Sequence, residues 1–559
     1  MLSSAPFTQK GWVQPLLLLT FVYLMLFSNL GGYDLSAPDE PRFALVAREM
    51  LTNNHWLLPH RNDHAYPDKP PLFFWSIAAV SVLNGGHVTA TTARLPSALA
   101  AMWVLWLMWG FARGKDKDKD NTLALLTVLI LVSATRFFFQ ARMAQIDMLL
   151  CGLTTAAGCL GFRLVSDNID PAERKATQRN LGILMGLAIL AKGPVGYLVP
   201  AGAMAMFCAF CGKLSWRNYP RKALLWGLLP PLIWIVLLLV EVAIADQWDY
   251  LNNMLFKQTV VRYLNPWHHY QPFYYFLKVP FYDFLPWVFL LLTAIPFTKK
   301  DRSQLDAASK FAWAFVLFTI VFFSLSKGKR NLYILPMYPM AAFLVATKVK
   351  ALLANIKNKP IWSIITPSGL LMLVFGAFIA LAAGSFRDRI PKEMVNLPVA
   401  AFGLVGALGA LVGVLGLGSA WRGRTRGAFA SLLIMIGLIN ILFFQVIMPW
   451  ISPYRSARQF SESASKIIAA DASRPVVAMV LYRSAYRLYG NYPLVELSSE
   501  NNNPPGLPKL NSYWSEHPQG WVIIRRKHLE EFKKNHPGST TIHLEVTVGR
   551  GEKMLLVTQ

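Results

Sequence analysis

The 559-residue chain is 54% hydrophobic and only 15% charged, with a formal net charge of +25. Apolar runs such as "PLLLLTFVYLMLF" and "PLIWIVLLLVEVAIA" recur along most of it. They approach the roughly 20 residues of a bilayer-crossing helix and far exceed a barrel strand, which excludes a β-barrel and predicts a polytopic helical membrane protein. Much of the positive excess then sets orientation, and no nucleic-acid partner is expected.

In chain order, about thirteen spans are predicted, starting near residues 13, 95, 121, 147, 181, 195, 223, 274, 310, 331, 361, 398 and 428. The first reads as an uncleaved helix, since a small-residue cleavage site after a short apolar core is lacking. The stretch "PLFFWSIAAVSVL" (71–83) is too short to cross and predicts an interfacial or re-entrant helix. With the N-terminus inside, each short inside loop carries three or four basic residues, such as Arg113, Lys115, Lys117 and Lys119, or Arg422, Arg424 and Arg426. Counting 71–83 as a crossing would invert the later loops and break this positive-inside pattern.

The outside face then holds residues 31–94, residues 245–273 and everything after 452. Residues 1–451 are read as a transmembrane domain and 452–559 as a small α/β domain, with strand-like runs "RPVVAMVLY", "GWVIIRR", "TIHLEVTV" and "EKMLLVT" around helical stretches such as "KHLEEFKKN". Cys151, Cys159, Cys208 and Cys211 all lie in apolar segments and are expected to be inert core thiols. "KDKDKD" reads as a solvated inside loop.

The outside loops carry the chemistry. In "SAPDEPRFALVAREML", Phe43, Val46, Met50 and Leu51 recur at helical spacing, so an amphipathic surface helix is expected with Asp39 at its N-cap. Adjacent helix residues do not share a face, so Asp39 and Glu40 should differ in role. "YPDKPPLFFW" sets Asp68 and Lys69 before two prolines, in an extended turn that frees Lys69 to reach a ligand; the alternative is a snorkelling lysine. Asp147 and Lys192 lie in or beside apolar segments, where ionisable groups are costly and suspect. "FKQTVVRYLNPWHHYQPFYY" adds Lys257, Arg262, His268 and His269, and "LSKGKRNLYILPMYP" adds Lys327, Lys329, Arg330 and Tyr333. Basic residues outside oppose the orientation bias, and a converging anion site accounts for them. The loop histidines 55, 60, 64, 268 and 269 have no fixed metal-ligand spacing, so no metal or other cofactor is expected.

Taken together and in this order, "PDEPRFALVAREML", "YPDKPPLFFW", "LAKGP" and "KGKRNLYILPMYP" resemble the polyprenyl-phosphate-sugar-dependent glycosyltransferases of the GT-C fold, and among them the bacterial lipid A aminoarabinose transferases. The resemblance extends to about residue 340 and implies an all-α GT-C membrane fold with interfacial helices. It implies Asp39 as the catalytic carboxylate, with Glu40 and Asp147 as the accompanying acids. Arg42, Tyr66, Asp68, Lys69, Lys192, Arg262, Lys327, Lys329 and Tyr333 fall where the donor or acceptor phosphate is held. Pro41 and Asp68 depart from the family pattern, which usually has threonine or serine and glutamate there.

The activity so implied is transfer of 4-amino-4-deoxy-L-arabinose from undecaprenyl phosphate to lipid A phosphate at the periplasmic face of the inner membrane, by a monomer. A phosphate acceptor is already ionised near neutral pH and needs no general base. A protein O-mannosyltransferase-like enzyme, with a hydroxyl acceptor and Asp39 as base, is the alternative in the same class. A lipid-linked-sugar transporter is the alternative in another class. It predicts midplane polar residues and an internal repeat, which the sequence lacks.

Overall fold

The computed structural model describes residues 13–116, 120–166, 169–212, 219–254, 270–354, 362–384, 398–471, 477–490, 492–498, 506–535, 540–549 and 551–559. Its first half runs α1 (Val13–Leu26), α2 (Asp39–Asn53), β1 (His60–Arg61), β2 (His64–Ala65), α3 (Leu72–Val82), α4 (Ala90–Arg113), α5 (Thr122–Ser133), α6 (Thr135–Ala141), α7 (Ile146–Ser166), α8 (Pro171–Lys192), α9 (Val195–Phe210), α10 (Arg221–Trp226), α11 (Leu229–Ala245) and α12 (Trp248–Asn252).

Among the described residues, eight helices are long and apolar enough to cross a membrane. The pair α5 and α6, bent by 70° at its break, makes a ninth if counted as one span. The chain is a multi-pass membrane protein.

Two span expectations change. Near residue 274 there is no continuous helix but three short ones, Tyr275–Lys278, Pro280–Asp283 and Val288–Ala294. Pro280 and Pro286 each remove a backbone donor there, and proline ends helices. The segment expected near 181 begins at Pro171, with Asp170 capping it through Ala172 N–H at 3.1 Å. Its polar first half, "PAERKATQRN", carries no hydropathy signal. Residues 72–82 form an eleven-residue helix, as their length implied.

Aromatic pairs pack among the aliphatic side chains inside the bundle. Phe162 contacts Phe311 at 5.1 Å between ring centroids, and Phe111 contacts Phe343 at the same distance, in tilted or edge-on geometry that suits the ring quadrupoles. Helix α2 is not the surface helix expected, because Glu40, Pro41, Phe43 to Ala47, Glu49 and Met50 are all buried, between α3 on one side and the C-terminal unit on another. Phe43, Val46 and Met50 are buried against Phe73, Phe74 and Ile77 of α3.

One buried ion pair ties this end of the molecule together. Arg94 and Glu40 are both fully buried. The guanidinium donates from Nε to Glu40 Oε1 at 2.8 Å and from Nη2 to Oε2 at 2.9 Å. Its remaining N–H groups reach the carbonyls of Leu30 (2.7 Å), Tyr33 (2.9 Å) and Asp34 (2.8 Å). Glu40 in turn accepts from the backbone N–H of Ala144 and of Ser36, each at 2.7 Å. The pair therefore joins α2, α4, the loop after α1 and the segment leading into α7.

The C-terminal unit is a five-stranded sheet in the order β4-β3-β5-β7-β6, from β3 (Val477–Met479), β4 (Leu494–Glu496), β5 (Trp521–Arg525), β6 (Thr541–Val548) and β7 (Glu552–Thr558). The first three pair in parallel, and β5-β7-β6 are antiparallel. Alternate residues of β5 enter opposite cores, Trp521 and Ile523 on one face and Val522 and Ile524 on the other. Strand β4 is the one the sequence reading missed, being only three residues long. This unit grips α2: Arg48 donates to the carbonyls of Leu488 (2.7 Å) and Arg487 (3.0 Å), and the Tyr489 hydroxyl accepts from Leu35 N–H at 2.9 Å.

Replacing Arg94 with leucine leaves a buried carboxylate unpaired, which costs about 3–5 kcal/mol. The expected outcome is a clear fall in the thermal unfolding midpoint of the purified protein. An unchanged midpoint removes the pair from its organising role.

Candidate active site

The first turn of α2 separates its two acids. At 3.6 residues per turn, neighbours point about 100° apart. Glu40 turns into the protein, where Arg94 and two backbone N–H groups occupy its carboxylate. With no exposed surface and every strong acceptor direction used, Glu40 is an anchor, and its assignment to the catalytic set is corrected. The expected N-cap is corrected too. Pro38 holds that position without a side-chain cap bond, and Asp39 is the first helical residue.

Freed from capping, Asp39 faces other partners. Its Oδ2 accepts from Arg330 Nη2 at 3.0 Å and from Gln145 Nε2 at 3.1 Å, and Oδ1 has no hydrogen bond among the described residues. The Gln145 amide is itself held, accepting at Oε1 from Gln140 Nε2 at 2.5 Å. Burial pushes the Asp39 pKa up, but the Arg330 charge and hydrogen bond, with Arg42 and Lys69 nearby, overcome it and hold the carboxyl below its ordinary value of 3.8. Asp39 is thus a firmly ionised carboxylate among three cations.

Arg330, one of the outside cations in the sequence but not among the residues that the resemblance implies, is the one that meets Asp39. It stands in a run of cations, "KGKR", that gives no basis for choosing among them. The fold chooses. Lys329, taken as a phosphate ligand, is buried and donates to the backbone carbonyls of Ser326 and of Gln271 (3.1 Å). It clips the turn, which corrects its expected role, and the turn then presents Arg330 to Asp39. Lys327 is exposed on the same turn.

A second cluster lies beside the first. Lys192 at the end of α8 pairs with Asp147 at the start of α7, and its ammonium sits 4.5 Å from the centroid of the Tyr333 ring. Arg330 lies in the field of Asp147 and Tyr333 as well as Asp39. Asp147 is thereby a counter-ion to cations on both sides.

The Tyr66–Lys69 turn completes the arrangement. It leaves the β1-β2 hairpin through Tyr66 N–H, which donates to Pro59 O at 2.7 Å, and it ends at the prolines that start α3. Tyr66 is buried, with Asp68, Arg42 and Arg61 close to its hydroxyl. Asp68 and Lys69 are half-buried. Arg262, with Lys257, His268 and His269, lies outside the described residues. Among the described residues no three His, Cys, Asp or Glu side chains form a group suited to a metal.

The chain matches the family model described as dolichyl-phosphate-mannose-protein mannosyltransferase over residues 68–240. It is 26% identical over 364 residues to the undecaprenyl phosphate-α-4-amino-4-deoxy-L-arabinose arabinosyl transferase of Erwinia tasmaniensis, covering 62% of this chain and 60% of that one. To the protein of the same name from an Enterobacter species it is 28% identical over 380 residues, covering 65% and 63%. The matched part thus spans less than two thirds of either relative's length. In three dimensions it superposes on ArnT from Cupriavidus metallidurans bound to undecaprenyl phosphate with a TM-score of 0.77 at 18% identity, over 98% of both chains. It superposes on the Archaeoglobus fulgidus oligosaccharyltransferase at 0.53 and 9% identity, over 92% of this chain and 70% of that one. The resemblance read from the motifs is borne out, and the chain has the GT-C glycosyltransferase fold.

Proposed function

We propose that this protein transfers 4-amino-4-deoxy-L-arabinose from undecaprenyl phosphate to a phosphate group of lipid A, at the periplasmic face of a bacterial inner membrane. The observation that carries the reading is the ionised Asp39, fixed by Arg330 and Gln145 next to Arg42 and Lys69. It comes from a chain whose fold matches that of an ArnT over almost its entire length. In this reading the N-terminus is cytoplasmic, the C-terminal unit covers the periplasmic end of the bundle, and one chain suffices.

The acceptor phosphate oxygen forms a bond to the anomeric carbon as the bond from that carbon to the lipid phosphate oxygen breaks, and the electron pair leaves with undecaprenyl phosphate. Both phosphates are already anionic, so no proton needs to move. Positive charge develops on the sugar ring and negative charge on the leaving phosphate. Asp39 Oδ1 supports the first, and Lys69, Arg42 and Arg330 support the second, as fixed charges aimed at developing charge. No metal is required for this division of labour.

A hydroxyl acceptor, as the protein mannosyltransferase name of the family model implies, calls for a carboxylate willing to take a proton. The cations around Asp39 lower its pKa and so weaken it as a base, which favours the phosphate acceptor.

Asp39→Asn keeps the side-chain shape but loses the charge. It is expected to abolish transfer to lipid A, read by mass spectrometry, while leaving membrane insertion intact; near-wild-type transfer by this variant overturns the reading. Because the Asp39 pKa is depressed, its ionised form persists above the ordinary carboxylate value and is lost only as pH falls through the lowered one. Removing the main depressing charge in Arg330→Gln should move the acid limb of the pH–rate profile upward and cut turnover at least tenfold. Lys327→Gln should leave both within twofold. Transfer by the purified enzyme should also be unaffected by EDTA, and a loss that added divalent metal restores would refute the metal-free mechanism.

A further inference from the structure

Helix α11 stops at Ala245, where Asp246 takes a left-handed conformation (φ 51°) and Gln247 N–H closes back on Val242 O at 3.1 Å. The chain then turns into α12. Between this corner and the Tyr66–Lys69 turn lies a cleft of about 430 Å³, lined by Pro67 on one side and by Asp246, Gln247, Trp248, Asp249 and Tyr250 on the other. Among the described residues it is lined by two carboxylates and by no lysine or arginine, in a chain with 55 basic and 30 acidic residues.

The charge of the lining is negative, although Gln247, Trp248 and Asn253 also bring N–H donors. Asp246 and Asp249 are acceptors only, and the buried Gln247 Oε1 is an acceptor with no donor among the described residues. The Tyr250 ring packs with Leu58, Leu190 and Trp234 and is 3% exposed, yet its hydroxyl has no hydrogen-bond partner among the described residues. A buried hydroxyl left unbonded is costly, so a partner in the cleft would be rewarded. Glu241 and Asp68 lie close enough to act on that hydroxyl, adding negative field. Trp248 is exposed, and an indole face attracts a cation and stacks on a sugar ring.

We propose that this cleft is a subsite for the ammonium group of an amino sugar, with Asp246, Asp249 and Gln247 Oε1 as acceptors, the Tyr250 hydroxyl as a further contact and Trp248 against the ring. The proposal rests on the functional reading above and deepens it, because it gives the step that distinguishes an amine-bearing sugar from a neutral one. Asp39 cannot make that distinction: Arg330 already neutralises it, and a second cation there meets Arg42 and Lys69. Across Pro67 from Tyr66, the cleft can hold the amine while Lys69 and Arg330 hold the phosphate. The ammonium belongs either to the donor's sugar or to the amino sugar already placed on the product.

The test uses the full chain in lipid nanodiscs, as wild type, Asp246→Asn/Asp249→Asn and Tyr250→Phe. The quantities read are KM and kcat for undecaprenyl phosphate-aminoarabinose, the inhibition constant of the N-acetylated donor, and inhibition by aminoarabinose-bearing lipid A. For a donor subsite, KM rises about tenfold in the double variant and less in Tyr250→Phe, with kcat and the N-acetyl inhibition constant unchanged. For a product subsite, KM stays and product inhibition weakens about tenfold. The proposal is overturned where neither constant moves, or where the amine and N-acetylated donors weaken together. If the wild type transfers no aminoarabinose, the functional reading fails by itself, and the donor Kd from titration calorimetry in the same variants still decides the fate of the cleft.

Discussion

The Glu40–Arg94 pair is the constraint on which the site depends. Two charges taken out of water are stable only when every lone pair and N–H is met, and here two carboxylate oxygens, two backbone N–H groups and three backbone carbonyls meet them. The consequence is geometric. With Glu40 locked inward, the next residue back along α2 must turn the other way, which aims Asp39 at Gln145 and Arg330. The same carboxylate holds Ala144 N–H, and Gln145 follows at once in the chain. One buried acid thus positions both the neighbouring acid and the amide that orients it.

Why two acids stand side by side after the first span has a physical answer: about 100° apart on one helix turn, they meet different partners. The answer was only half legible in the sequence. Helical spacing in "RFALVAREML" gave α2 and the divergence of its two acids, but not which one turned inward. That depends on Arg94, far off in sequence within "TTARLPS", where nothing marks it as other than an interfacial arginine. The same holds for the cations of "KGKR". Adjacent residues of equal charge were split by the turn into a backbone clip, Lys329, and a carboxylate partner, Arg330, and hydropathy is blind to that division.

Architecture was more legible than roles because periodicity is local. Most predicted spans coincide with helices, and the α/β character of the C-terminal unit followed from its longer apolar runs. The failures have local causes as well. Prolines broke the segment after residue 274, a polar first half hid the start of α8, and a strand of three residues left no alternation to read. The C-terminal unit's grip on α2 was invisible, since Arg48 bonds to main-chain carbonyls and any sequence supplies those.

Electrostatic partition links the two regions. A transferase moving a cationic sugar between two anionic lipids faces a conflict, because cations that hold phosphate repel the sugar's amine. Confining positive charge to Arg330, Arg42 and Lys69 around Asp39 serves the phosphate. In the proposed subsite, Asp246 and Asp249 near Pro67 give the amine a separate acceptor-bearing region. In the proposed reading, a substrate with charges of opposite sign at its two ends is oriented by both groups of residues. On this view the catalytic carboxylate need not bind the amine at all. Its depressed pKa keeps it charged for the moment when positive charge develops at the anomeric carbon, the one point where a neutral carboxyl group would be of no use.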